Sequence, residues 1–358
     1  MANPTNLTRP TAPWWAGLTI WIFALGYCVA YVPYSALTKA LTSGRIADTR
    51  VGGFELLPPS VAASVVGMLL LITLLGWWRH ASTFQVGTLR LPRPGRWTLL
   101  SGLCTGLIVV TTTLAYTIDG VSIVFAMLLM RGGVLIMSPV VDTLSGRRVR
   151  WFSWMGLLMS FGALIVAFAA PAPPGTSRFA FNLLLALDIG VYLASYFVRL
   201  RFMTKLAKSD DGNATRRYFV EEQMVATPSV LLLLAILAVI GGNDSFLELR
   251  EGFSSFWSKP ILFHGLAVGV CSQFTGVFGA LVLLDKSENA FAVPVNRCSS
   301  VLAGVFATYT LHLLLGMKLP STFDLMGAGM IVGAILFLTI PPMLEKRRAA
   351  ARVQGVAS

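Results

Sequence analysis

Apolar residues in this chain come in long runs separated by short polar breaks. A bilayer core needs about 20 mostly apolar residues per helix. Read on that basis, the runs predict ten helices, at 14–41, 57–78, 97–118, 120–142, 151–169, 179–203, 217–240, 260–284, 289–315 and 323–341. Pro58-Pro59, the stretch Pro171 to Gly175, Gly241-Gly242 and clusters of charge mark the breaks. A polar tail at 1–13, a linker at 170–178 and a basic tail at 342–358 are left over. The first apolar run is too long for a signal-peptide core and has no clear small-residue cleavage site, so it is read as a retained helix. The expected fold class is an all-α integral membrane protein with ten transmembrane helices.

Composition supports that reading. Only 12% of the 358 residues are charged and 55% are hydrophobic, with a mean hydropathy of +0.73. A soluble domain is about one quarter charged, so this chain cannot coat a soluble globule. A cytosolic enzyme, a secreted disulfide scaffold and a disordered chain are excluded. The net charge of +12 would suggest nucleic acid in a soluble protein. Here no aromatic-basic patch accompanies it, so no nucleic-acid partner is expected, and the charge is read as topogenic. With the N-terminus inside, the cytoplasmic loops and tails carry 18 Lys and Arg and the outer loops 6, a bias that places both termini in the cytoplasm. Cys28, Cys104, Cys271 and Cys298 fall inside apolar runs at no metal-ligand spacing, and are read as reduced packing residues.

The two halves resemble each other. Asp119 and Arg131 are twelve residues apart, as are Asp285 and Arg297, 166 positions later. Thr38-Lys39 recurs as Thr204-Lys205 at the same offset, and the glycine pairs Gly102/Gly106 and Gly265/Gly269 match at an offset of 163. The unit, residues 14–169 and again 179–341, has five helices. An odd number makes the second copy enter the membrane from the opposite side, so a 5+5 inverted repeat is expected, the usual plan of an alternating-access transporter. The glycine pairs are expected to let helix backbones approach closely. Asp119 and Asp285 are expected to cap the fourth and ninth helices.

Candidate chemistry gathers at mid-membrane. Twelve residues of helix span about 18 Å, so Arg131 and Arg297 both fall near the centre of a core of about 30 Å. A central arginine costs ~2.5–3.5 kcal/mol on insertion scales, and a symmetric pair suggests a cationic site for a carboxylate or phosphate. The alternative is ion pairing with an intramembrane acid. Asp188 is the candidate for that acid, or for a proton carrier. Asp188, Tyr192, Ser195 and Arg199 share one face of the sixth helix, and Tyr27, Tyr31, Tyr34 and Thr38 one face of the first. These stripes line either a wet cavity or a hydrogen-bonded helix seam. Asn296 and Gln273 complete the proposed binding set. Glu221 and Glu222, with Gln223, form an acidic entrance or a substrate contact. Pro33, Pro228 and Pro294 mark kinks. No Walker loop, zinc-hydrolase motif or nucleophile elbow is present, and no catalytic residue, metal or cofactor is expected.

These features together resemble the drug/metabolite transporter superfamily, which includes bacterial exporters, nucleotide-sugar transporters and plastid sugar-phosphate transporters. The resemblance is architectural and covers about residues 14–341. Golgi nucleotide-sugar transporters carry Gly-Ala-Leu-Asn-Lys on the ninth helix; Val293-Pro294-Val295-Asn296-Arg297 matches its Asn-basic end. Their Phe-Tyr-Asn-Asn on the seventh helix is loosely echoed by Phe219-Val220-Glu221-Glu222. The resemblance implies a central cavity between helices 1–4 and 6–9, with helices 5 and 10 peripheral and available for a homodimer. The expected function is secondary transport of a small organic anion or phosphorylated metabolite across a bacterial-type inner membrane, or an organelle membrane. The alternatives are an exporter of amino acids and other zwitterions, a flippase of an anionic lipid carrier, or a membrane-embedded enzyme or scaffold.

Overall fold

The computed structural model describes residues 19–46, 50–86, 89–115, 123–169, 183–208, 213–317, 319 and 322–356. Asp119, the 1–13 tail and the 170–178 linker lie outside them. Each predicted apolar run coincides with a helix: α1 (Thr19–Thr42), α2 (Gly53–Leu74), α3 (Arg96–Ala115), α4 (Ile123–Leu144), α5 (Trp151–Ala169), α6 (Leu183–Phe202), α7 (Ala214–Ile240), α9 (Leu262–Leu284), α10 (Asn289–Leu315) and α11 (Thr322–Val356). Helices α1, α2, α7, α9 and α10 are long and apolar enough to cross a bilayer. Side chains such as Leu74 and Leu313 are 84% and 80% exposed, a surface suited to lipid tails rather than water. The four cysteines are free.

Four local features differ from the sequence reading. A short amphipathic helix, α8 (Asp244–Phe253), occupies the stretch between the seventh and eighth apolar runs. Asn243 caps it by accepting from the Phe246 N–H at 2.9 Å. Leu249 is its buried anchor, packed among Val230, Leu234, Phe54 and Leu57. Arg250 donates back to the Ala238 carbonyl at 3.2 Å, satisfying one of the open carbonyls at the end of α7.

A two-stranded hairpin, β1 (Thr83–Val86) with β2 (Leu89–Pro92), lies between α2 and α3. Helix α2 begins at Gly53, so Pro58-Pro59 sits inside it rather than breaking the chain before it. Proline frees the carbonyl four residues earlier, here those of Phe54 and Glu55, and Gly252 of α8 packs closely against the Glu55 carbonyl and the Pro58 ring. Finally, α11 runs through the predicted basic tail to Val356, because Glu345 through Arg352 holds only helix-favouring residues.

The helices pack in a definite set of pairs. Helix α1 lies against α9 and α10, and α6 against α3 and α4. Helix α2 packs on α9, and α7 on α3; the pairs α2 with α7, α4 with α10, and α5 with α11 complete the frame. Two of these seams depend on the matched glycines. Gly102 and Gly106 of α3 meet the Glu222 and Ala226 carbonyls of α7, and Gly269 of α9 meets the Ser60 carbonyl of α2. The α2–α9 seam is pinned by Ser64, which donates to the Gly269 carbonyl at 2.8 Å. The main apolar cluster includes Met130, Val134, Leu200, Phe219, Leu283 and Val293.

At one end, α4, α10 and the π turn Met203–Ala207 after α6 meet in a buried polar junction. Asp142 accepts from the Asn289 and Ala290 N–H groups at 3.0 and 2.7 Å, so a carboxylate of α4 caps the first turn of α10. It also accepts from the Asn289 side chain at 2.9 Å. Glu288, not Asp285 as expected, holds the N-cap position of α10, but its side chain makes no capping bond and Asp142 does the capping; Asp285 accepts from the Ser287 N–H at 2.9 Å. Two intervening residues, Lys286 and Ser287, keep Asp285 on the turn and away from the N-cap position. Glu288 pairs with Arg150 at 3.3 Å and accepts from the Ser153 hydroxyl.

Lys208 closes this junction, donating to the Ser287 carbonyl at 2.8 Å and to Asn289 Oδ1 at 3.0 Å. Burial, aided by the Arg147 charge, pulls its amine down to about 7, against the opposing pull of Asp142, Asp285 and Glu288. A neutral amine has two hydrogens, which match the two acceptors.

Two predictions arise from this architecture. Gly269→Leu should push α9 off the Ser60 carbonyl and destabilise the fold by ~1–3 kcal/mol, read as a lower thermal midpoint in detergent. Lys208 is depressed from 10.5 to about 7 in the fold, so unfolding takes up a proton between those values. Stability should therefore rise as pH increases from about 7 to 9, and Lys208→Met should flatten that rise. A midpoint series against pH checks both slopes.

Candidate functional site

Arg131 lies within α4 (Ile123–Leu144) and Arg297 within α10 (Asn289–Leu315). Helices α4 and α10 pack on each other, and Tyr27 of α1 feels the charge of both arginines.

Aromatic hydroxyls surround Arg297. Its Nη2 donates to the Tyr196 hydroxyl at 2.7 Å, and its guanidinium carbon stands 5.2 Å from the centre of the same ring. Tyr192 lies against Tyr196, with ring centres 5.0 Å apart. Tyr27 stacks on Tyr31 at 5.6 Å, and Tyr31 meets Tyr34 edge-on at the same spacing. Tyr192 and Tyr27 both lie within electrostatic reach of Arg297. Gly279 of α9 leaves room for the Tyr27 ring. The Nε of Arg297 is buried with no hydrogen-bond partner.

Arg199 provides the contrast. It is also buried, but its Nε sits 2.8 Å from Glu222. Glu222 further accepts from Ser101 at 3.1 Å and Thr105 at 2.9 Å, and Ser101 shares a 2.5 Å contact with the Tyr218 hydroxyl. This network ties α3, α6 and α7 together. The stripe on α6 thus divides: Arg199 belongs to a hydrogen-bonded seam, while Tyr192 faces the arginine site.

The remaining sequence-derived residues distribute as follows. Asn296 donates to the Gly279 carbonyl at 3.3 Å, and Gln273 contacts the Met68 sulfur at 3.3 Å in the α2–α9 seam. Glu221 accepts from the Ser82 N–H at 3.0 Å, the Gly95 N–H at 2.9 Å and the Thr98 hydroxyl at 2.6 Å, anchoring both ends of the hairpin to α7. Asp188 is 8% exposed. It lies two helical turns from Tyr196, in no ion pair among the described residues, and its Oδ2 is buried without a hydrogen-bond partner.

The structure therefore gathers Arg131, Arg297, Tyr27, Tyr31 and Tyr192, and leaves Asn296, Gln273, Glu221 and Glu222 in contacts between elements. Tyr196 escaped the sequence reading, although its spacing of four from Tyr192 was a usable signal.

No family model matches the chain, and no curated protein matches it. A solved structure described only as "Crystal structure of protein" aligns with a TM-score of 0.53 at 15% identity, covering 90% of this chain and 96% of that one. At that identity the likeness is one of fold alone.

Proposed function

We propose that the chain is a secondary transporter with ten spans in two inverted five-helix units, moving a small organic anion or phosphorylated metabolite by alternating access. Both termini are assigned to the cytoplasm, and the membrane to a bacterial-type inner membrane. Arg297 carries this reading. A half-buried guanidinium with its Nε closed off and no counter-charge among the described residues is costly, and Arg199 in the same bundle has its counter-charge in Glu222. An anion bridging Arg297 and Arg131 would supply the missing charge and take the open Nε, with the tyrosine hydroxyls as further donors.

The packing supports the inverted repeat. Exchange α1 with α6, α2 with α7, α3 with α9, α4 with α10 and α5 with α11, and the pairs described above map onto themselves. The two arginines exchange as well. A site on such an axis can be approached from either side as the halves rock. Asp188, two helical turns along α6 from Tyr196 and in no ion pair among the described residues, suits a proton carrier whose protonation is coupled to movement.

The reading has direct consequences. Arg131→Ala and Arg297→Ala should each weaken binding of a small anion by ~2–5 kcal/mol if the pair is desolvated, with insertion preserved. Lysine at either position should restore part of it, keeping charge while losing the planar fork. A thermal-shift panel of phosphates, nucleotides, carboxylates and amino acids finds the ligand, and counterflow in proteoliposomes separates a carrier from an enzyme or scaffold. Folded alanine variants that bind and exchange at wild-type level would sink the anion site. Asp188→Asn should abolish pH-driven uptake while leaving substrate exchange largely intact; proton-driven uptake at the wild-type rate removes Asp188 from coupling.

A further inference from the structure

A second basic site lies apart from the arginine pair, where the hairpin meets α3 and α7. A cavity of about 340 Å³ opens there, bounded by Ser82 and Gly95 at the ends of the hairpin, Arg96 and Trp97 on α3, Leu206 in the π turn, and Arg217 on α7. Arg96 and Arg217 bring two positive charges. The Glu221 carboxylate on its wall is already held by the Ser82, Gly95 and Thr98 donors. The lining side chains themselves, Arg96, Arg217 and Glu221, hold two positive charges and one negative, a balance that suits a phosphodiester monoanion. The first turns of α3 and α7 both border the cavity, and first-turn N–H groups and the positive end of the helix dipole favour an anion.

The surroundings identify the source of that phosphate. Trp97 is 44% exposed and stacks on Phe202 with ring centres 5.1 Å apart, while the Arg96 guanidinium lies 5.0 Å from its ring. A tryptophan at the end of an apolar helix sits at headgroup depth. From Trp97, the exposed side chains Leu100, Leu103 and Leu107 run along one face of α3. They give an acyl chain a track of about 15 Å over ten residues. A free phosphate would have no use for that track.

We propose that this cavity binds the headgroup of an anionic phospholipid, with Arg96 and Arg217 on the phosphate and an acyl chain along α3. The site depends on the apolar helices but not on the transport reading, and a protein of any activity could hold it.

The test uses the full chain purified in neutral detergent. Its thermal midpoint is measured with dioleoylphosphatidylglycerol, dioleoylphosphatidylcholine or inorganic phosphate, and bound lipid is counted by native mass spectrometry. Phosphatidylglycerol should raise the midpoint well above the choline lipid. R96Q/R217Q should lose most of that difference and weaken the apparent affinity about tenfold, whereas R96K/R217K should keep the larger part. Both arginines are exposed, and the single variants R96Q and R217Q give the same comparison should the double variant not purify. An equal rise with the choline lipid, or an undiminished rise in the glutamine variants, overturns the proposal. A rise reproduced in full by inorganic phosphate overturns the lipid assignment and leaves a free-anion site.

Discussion

A charge buried among apolar helices must be answered inside the protein, because no water reaches it to do so. That constraint organises the structure. Glu222 answers Arg199, Lys259 answers Glu55 at 2.5 Å, and the exposed Arg150 answers the buried Glu288. Asp142 and Glu221 each collect three donors. Apart from the Arg199–Glu222 pair on consecutive helices, each of these contacts joins elements far apart in the chain, so charge compensation also holds the bundle in register.

Arg297 and Asp188 depart from the pattern. Each has a buried polar atom with no hydrogen-bond partner among the described residues, Arg297 on α10 and Asp188 on α6. Aromatic hydroxyls soften the arginine's isolation without neutralising it. A cation left in that condition is ready to be neutralised by something that comes and goes, which is the physical basis for reading a transported anion into the site.

The long apolar runs were legible because their length is set by bilayer thickness and needs no knowledge of neighbours. The short elements were not. Helix α8 has ten residues and a single buried anchor, Leu249, and it persists by packing under α2 and α7. The hairpin has four residues per strand and is held by Glu221 at both ends. The Pro58-Pro59 pair reads as a break in one dimension; it becomes part of a helix once Gly252 packs against the freed carbonyl. The contacts of α8 with α2, of the hairpin with Glu221, and of Gly252 with the Glu55 carbonyl all join residues far apart in sequence.

By itself the sequence determined the helical positions, the presence of two arginines inside apolar runs and the tyrosine stripes, since all follow from local composition and helical periodicity. It offered Asp188 as the acid for an arginine, and Glu221 and Glu222 as an acidic entrance or a substrate contact. Only the tertiary structure decided that Glu222 serves Arg199, that Glu221 serves a hairpin, and that Tyr196 rather than an acid meets Arg297. The reason is distance: which charge meets which depends on how α3, α6, α7 and α10 pack, and periodicity along one helix carries no information about the face its neighbour presents.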